Sequence, residues 1–211
     1  MMIKKWIQQT GWRRILLMVI GNLILGMGIS IFKLASLGND SFSGMTMAIS
    51  AYIHMNYGTY FLLQSTVLFV IELLFGRQLI GIGTIVNACF LGYFTMFFSW
   101  IWETAGLQVQ GFGSQLVTLV TAVLIQSFGL SLYQSSDAGI SPYDSLALIL
   151  TERFPKIPYF FNRVLMDVIC AVICWRFGGL TGIGMLIAMF GLGPVISIFN
   201  KCISEKLVGE K

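Results

Sequence analysis

The chain has 211 residues, of which 56% are hydrophobic and only 10% charged, with a mean hydropathy of +0.83. A water-soluble domain carries about 25% charged residues because its surface faces water, so a soluble globular fold is excluded and most of this surface faces lipid. One His and four scattered Cys offer little for a His/Cys metal site, and no Gly-rich phosphate-cradling run is present, so neither a metal nor a nucleotide cofactor is expected. The formal net charge is +4, but the basic residues punctuate hydrophobic segments instead of gathering with aromatics on one face, which argues against nucleic-acid binding. Cys89, Cys170, Cys174 and Cys202 show no Cys-x-x-Cys spacing and read as small apolar residues, with no disulfide expected.

A helix needs about 20 apolar residues to cross the hydrocarbon core. In chain order, six stretches come close: 15–32, 60–75, 79–102, 116–133, 159–175 and 180–199. The first follows a basic segment as a signal peptide's core would. Lys33 closes it without a small-x-small cleavage site, so a retained first helix is expected. Trp12, Trp100, Trp102 and Trp175 stand at span ends, where interfacial aromatics belong. With six spans and a cytoplasmic N-terminus, eleven of the 13 basic residues fall inside and only Lys33 and Arg176 outside. Both termini are therefore expected in the cytoplasm of a multi-pass protein in a bacterial plasma membrane.

When the chain is slid over itself by 101 residues, five glycine pairs coincide without a gap: Gly28 on Gly129, Gly38 on Gly139, Gly81 on Gly182, Gly83 on Gly184 and Gly92 on Gly193. The spans superpose as well, three in each half. A single membrane domain, 1–211, built from repeats at about 12–102 and 113–203 is expected. An odd number of spans per repeat would turn the halves into opposite orientations, as in many transporters. These ten glycines read as helix-packing surfaces.

Between the first two spans of each half lies a short segment of another kind. The first starts Gly38-Asn39-Asp40-Ser41-Phe42-Ser43-Gly44 and runs as a helix to about His54; the second starts Gly139-Ile140-Ser141-Pro142-Tyr143-Asp144-Ser145 and runs to about Glu152. Ser141 is an N-cap, Pro142 suits the first helical position, and Asp144 sits where a carboxylate meets the positive helix end. Asp40 falls on Ser141 at the same offset. Both helices are too short to cross, so two re-entrant half-helices are expected beside a polar cavity. The expected fold is all-α, with six transmembrane helices in two inverted three-helix repeats, each carrying one half-helix.

Gly139-Ile140-Ser141-Pro142-Tyr143-Asp144 and Gly81-Ile82-Gly83-Thr84-Ile85-Val86-Asn87-Ala88 resemble motifs of the YczE/YitT-like bacterial integral membrane proteins, and the resemblance extends over essentially the whole chain. It implies a membrane fold and carries no activity with it. In the first half the Pro and the second acid are replaced, leaving Asn39-Asp40-Ser41-Phe42-Ser43.

Polar residues inside spans are costly and mark functional sites by default. The candidates for a solute or ion site are Asp40, Ser41, Ser43, Ser141, Tyr143 and Asp144 at the half-helix tips, with Asn87, Gln64 and Gln126 in the spans. If the tips meet, Asp40 and Asp144 form a coupled carboxylate pair. Arg163 and Asp167 are spaced as a helical ion pair, and Glu72 as a partner for Arg77; both read as structural. No span offers a Ser/His, paired-His or His-Glu-x-x-His constellation, so no enzyme is expected. The leading function is a membrane transporter, or a transport component, for a small molecule or ion. A substrate-binding subunit of an energised vitamin-type uptake system and a passive channel are the alternatives. The partners expected are the lipid bilayer, the solute, and a second copy or a transport partner. Helix N-termini favour an anionic solute, whereas the two acids favour a cation, an amine or a proton.

Overall fold

The computed structural model describes residues 11–204 and residue 207. Lys4, Lys5, Lys206 and Lys211, which enter the charge bias, lie outside the described residues. Among the described residues, eight α-helices follow in order: α1 Trp12–Ala35, α2 Ser41–Tyr52, α3 Tyr57–Phe75, α4 Ile82–Thr104, α5 Phe112–Ser135, α6 Pro142–Arg153, α7 Tyr159–Arg176 and α8 Ile183–Phe199. No strand occurs among the described residues. A single π-helical turn, Asn200–Ser204, continues α8.

The polypeptide is inside-out relative to a soluble protein. Its most buried side chains include Asn22, Thr46, Glu72, Thr84, Thr95 and Ser127, whereas Leu63, Val67, Leu74, Phe97, Val117 and Val172 face outward. Lipid is as apolar as leucine, so an apolar residue gains nothing by turning inward, while a backbone or hydroxyl group must find a partner inside the bundle. This is a polytopic membrane protein. Among the described residues, five helices are long and apolar enough to cross: α1, α3, α4, α5 and α8 with its π turn. The helix expected as a further span, α7, has 18 residues and falls outside that set because it carries Arg163, Asp167 and Arg176.

The other boundaries follow local chemistry. The expected third span begins at 79, but Arg77–Leu79 form a 3-10 turn and α4 starts only at Ile82. Gly81 is extended there, and its N–H donates to the Thr84 hydroxyl at 3.1 Å, which fixes the helix start. Helices α2 and α6 have 12 residues each, so each is about 18 Å long, well short of a bilayer's core. Trp102 lies in the last turn of α4, where its indole N–H donates to the Ser30 hydroxyl at 2.9 Å.

Helices α1 and α5 form the most extensive contact in the bundle. They approach backbone to backbone: a Cβ on Gly28 would lie 2.6 Å from the Gln126 Cα, and one on Gly129 would overlap the Leu25 amide nitrogen. Leu25 and Gln126 are themselves 101 positions apart, so the two contacts are reciprocal. The same reciprocity holds at the loops. The Gly83 N–H donates to the Ala138 carbonyl at 2.7 Å, and the Gly184 N–H to the Leu37 carbonyl at 2.8 Å. Each half thus fastens the other half's loop. Gly38 and Gly139 take φ of +103° and +111° against Gly182 and Gly81, a backbone that only glycine adopts without strain at such close range.

One glycine breaks the pattern. Gly92 is buried against Phe61 and Gly58, whereas a Cβ on Gly193 would meet nothing within 4 Å. Gly193 is exposed, so its expected role as a packing glycine is corrected. Helices α3 and α4 pack closely; their counterparts α7 and α8 barely touch.

Candidate functional site

The starts of α2 and α6 meet in the centre of the bundle. Phe42 and Tyr143, again 101 positions apart, stack with ring centroids 4.3 Å apart and planes 20° from parallel. Around them opens a cavity of about 420 Å³, a volume typical of small-molecule sites. Of the residues expected at a site, Asp40, Ser41, Ser43, Ser141, Tyr143, Asp144, Asn87 and Gln126 all line it. Gln64 does not; it accepts a hydrogen bond from Thr46 at 3.1 Å beside α2.

Both helix tips are capped by their own side chains. The Asp40 carboxylate accepts the Ser43 N–H at 3.0 Å, and the Ser141 hydroxyl oxygen accepts the Asp144 N–H at 3.2 Å. Caps of this kind satisfy amides that a helix start leaves without partners. Ser141 in turn donates its hydroxyl to the Asp144 carboxylate at 2.8 Å. On the other tip, the Gln126 amide N–H donates to Asp40 at 3.0 Å. Asn87 donates to the Asn22 side chain at 2.8 Å, bridging α4 and α1.

Arg163 organises the second acid. It is ion-paired with Asp144, lies 3.5 Å from Asp167 one turn along α7, and its guanidinium sits 4.7 Å from the Tyr143 ring centroid. Tyr143 donates its hydroxyl to Asp167 at 2.7 Å. The expected Asp40–Asp144 pair is therefore corrected, since the nearest charge to Asp144 is a cation. Arg163 and Asp167, expected as a structural ion pair, both line the cavity. Their i, i+4 spacing within a span was the only signal for them. Glu72 is also corrected: it is fully buried, and the Arg77 guanidinium donates to the Leu73 carbonyl at 2.7 Å instead.

Two polar atoms of the cavity lining have no partner. The Ser41 hydroxyl and the Gln126 carbonyl oxygen are buried and make no hydrogen bond. An unpaired buried polar group costs about 1–3 kcal/mol.

Residues 12–201 match a family of unknown function, DUF6198. The chain belongs to that family. It is 24% identical over 201 residues to an uncharacterized membrane protein, YczE, of Bacillus subtilis, covering 90% of this chain and 91% of that one. It is likewise 24% identical to an uncharacterized protein, YyaS, of the same organism, over 90% of this chain and 94% of that one. A third relative, an uncharacterized protein of Haemophilus influenzae, is 24% identical over 86% of this chain and 81% of its own length. No solved structure matches the chain. The resemblance to YczE-like membrane proteins seen in the motifs thus holds over most of the sequence.

Proposed function

We propose that this DUF6198 protein is a membrane transporter, or a transport component, for a small solute that binds at the tips of α2 and α6. The observation that carries the reading is the central cavity, with its three carboxylates, one guanidinium and two unpartnered polar atoms, in a fold whose halves make reciprocal contacts. Polar groups at depth in a lipid-facing bundle are retained where they bind or relay something. In this reading α7 crosses as the sixth span with Arg163 and Asp167 turned inward, the repeats are inverted, and α2 and α6 enter from opposite sides. Alternating access then amounts to one half rocking against the other around a fixed site.

The asymmetry of the two seams supports it. A tight α3–α4 seam against an open α7–α8 seam is what one end state of such a cycle requires; the opposite end state would exchange the two. The reading places both termini in the cytoplasm of a bacterial plasma membrane and assigns the protein no catalysis. A solute screen in proteoliposomes, with and without a pH gradient, tests it. Accumulation or counterflow of at least one solute, lost in Asp144→Asn protein that remains folded and inserted, is the expected result. The reading falls if no solute moves and paired cysteines locking the α7–α8 seam leave binding unchanged.

A further inference from the structure

We infer that the cavity binds an organic cation with an apolar body, which reaches it sideways from the lipid through the open seam between α7 and α8. The inference deepens the transport reading above and rests on it for its biological role, although the binding itself is independent of transport.

The charge sets the sign. Among the described residues, Asp40, Asp144 and Asp167 line the cavity against one cation, Arg163, and Asp144 and Asp167 share that guanidinium. Asp40 has hydrogen-bond donors, Gln126 and the Ser43 N–H, but its nearest partners carry no full positive charge. The helix starts offer an anion less than they otherwise would: Ser43 N–H is taken by Asp40, Asp144 N–H by Ser141, and Pro142 has none. The polar atoms left without a partner in two lining residues, the Gln126 carbonyl oxygen and the Ser41 hydroxyl, include an acceptor in each case and no additional positive charge. In a medium of low dielectric, an excess of carboxylate attracts a cation far more strongly than it would in water.

The walls define the body. Leu25, Ile29, Leu91, Phe61, Phe160 and Phe190 are among the apolar lining residues, and aromatic faces attract cations as well as apolar groups. The route in is equally physical. Phe160 and Phe190 flank the seam at 57% and 54% exposure, and nothing fills the space beside Gly193. The neighbouring Pro194 lies inside α8, where it removes a backbone hydrogen bond and lets the helix bend. A solute with an apolar body partitions into the bilayer and meets this seam from the side.

The test uses two ions of one shape and opposite charge. Protein in nanodiscs is titrated separately with tetraphenylphosphonium and with tetraphenylborate, and protein-free nanodiscs give the lipid background. Saturable binding of tetraphenylphosphonium and none of tetraphenylborate is expected. Asp40→Asn should weaken the cation by about tenfold or more, the effect of deleting one close opposite charge. Gly193→Phe, which fills the seam, should slow or abolish binding, whereas Gly113→Phe, at another open position, should leave it unchanged. Non-saturable uptake of the cation, equal binding of the borate, or full affinity in Asp40→Asn overturns the site. Unchanged association in Gly193→Phe overturns the route. If Asp40→Asn does not fold, the comparison of the two ions on the unsubstituted protein decides. Saturable cation binding without flux of any solute removes the transport reading and leaves the site, and flux of another solute without cation binding does the reverse.

Discussion

Arg163 holds two acids from different directions, one turn away on its own helix and across the cavity at the tip of α6. Removing a charge from a buried pair leaves its partner uncompensated, at about 3–5 kcal/mol. Arg163→Ala is therefore expected to lower thermal stability in detergent by several degrees or to prevent folding. Arg163→Lys keeps the charge but loses the planar fork and the stacking on Tyr143, so it should fall between the two. A melting series of the three proteins checks the order; equal stability of Arg163→Ala and the parent would remove the guanidinium from its central place. At the first tip, Asp40→Ala should cost about 0.5–2 kcal/mol through the lost cap, and Asp40→Asn much less, because Asn caps nearly as well. If both melt alike, Asp40 does not hold α2.

The same residues show where reading a sequence succeeds. Ser141-Pro142-Tyr143-Asp144 declares a helix start because cap and capped amide are three residues apart, and that distance is visible along the chain. Asp40 is legible for the same reason. The pairing of Asp144 with Arg163 spans 19 residues and joins two helices, so it depends on how those helices pack. The sequence offered Arg163 a sufficient local partner in Asp167 and no reason to look further. Glu72 failed likewise: Arg77 stood near it in sequence, but the Arg77 side chain turns to a carbonyl on its own helix.

Among the helices, small residues decide how close two axes come. A side chain at Gly129 would collide with the backbone of α1, not with a side chain that can move aside. Gly129→Leu is expected to separate α1 from α5 and cost about 3 kcal/mol or more, the upper range for overpacking. Gly193→Leu should be nearly neutral in stability, as nothing stands beside it. Glycine coincidence in the sequence treats the two positions as equals; only the arrangement of α7 and α8 separates them. Comparing the two melting temperatures tests this, and a loss at position 193 matching that at 129 would mean that the α7–α8 seam is closed in the membrane. Span count was legible from hydropathy for five helices. The 159–175 stretch reads as a further span too, but Arg163, Asp167 and Arg176 keep α7 outside the set of helices apolar enough to cross.

For the whole molecule, the distribution of charge along the chain carries a testable orientation. In the proposed orientation, Arg77 and both termini face the cytoplasm and Glu103 and Arg176 the other side. The structure adds that Lys33 and Glu103 pair at 3.2 Å, as two residues at the same membrane face must. Single-cysteine labelling on a background lacking Cys89, Cys170, Cys174 and Cys202 should show positions 77 and 153 protected from outside reagents, with 103 and 176 labelled. External labelling of position 77 would refute the inverted arrangement.

The reciprocal clasps at Ala138–Gly83 and Leu37–Gly184 bear on how the protein is made. When the first half leaves the ribosome, the start of α4 presents an amide whose carbonyl partner has not yet been synthesised, and the loop after α1 lacks the glycine it will hold. Insertion can proceed span by span, but completion has to wait for the last helices. The halves produced as separate polypeptides should then be individually prone to degradation and protect one another when produced together. Biogenesis of this chain is in effect the assembly of a dimer whose subunits happen to share a backbone.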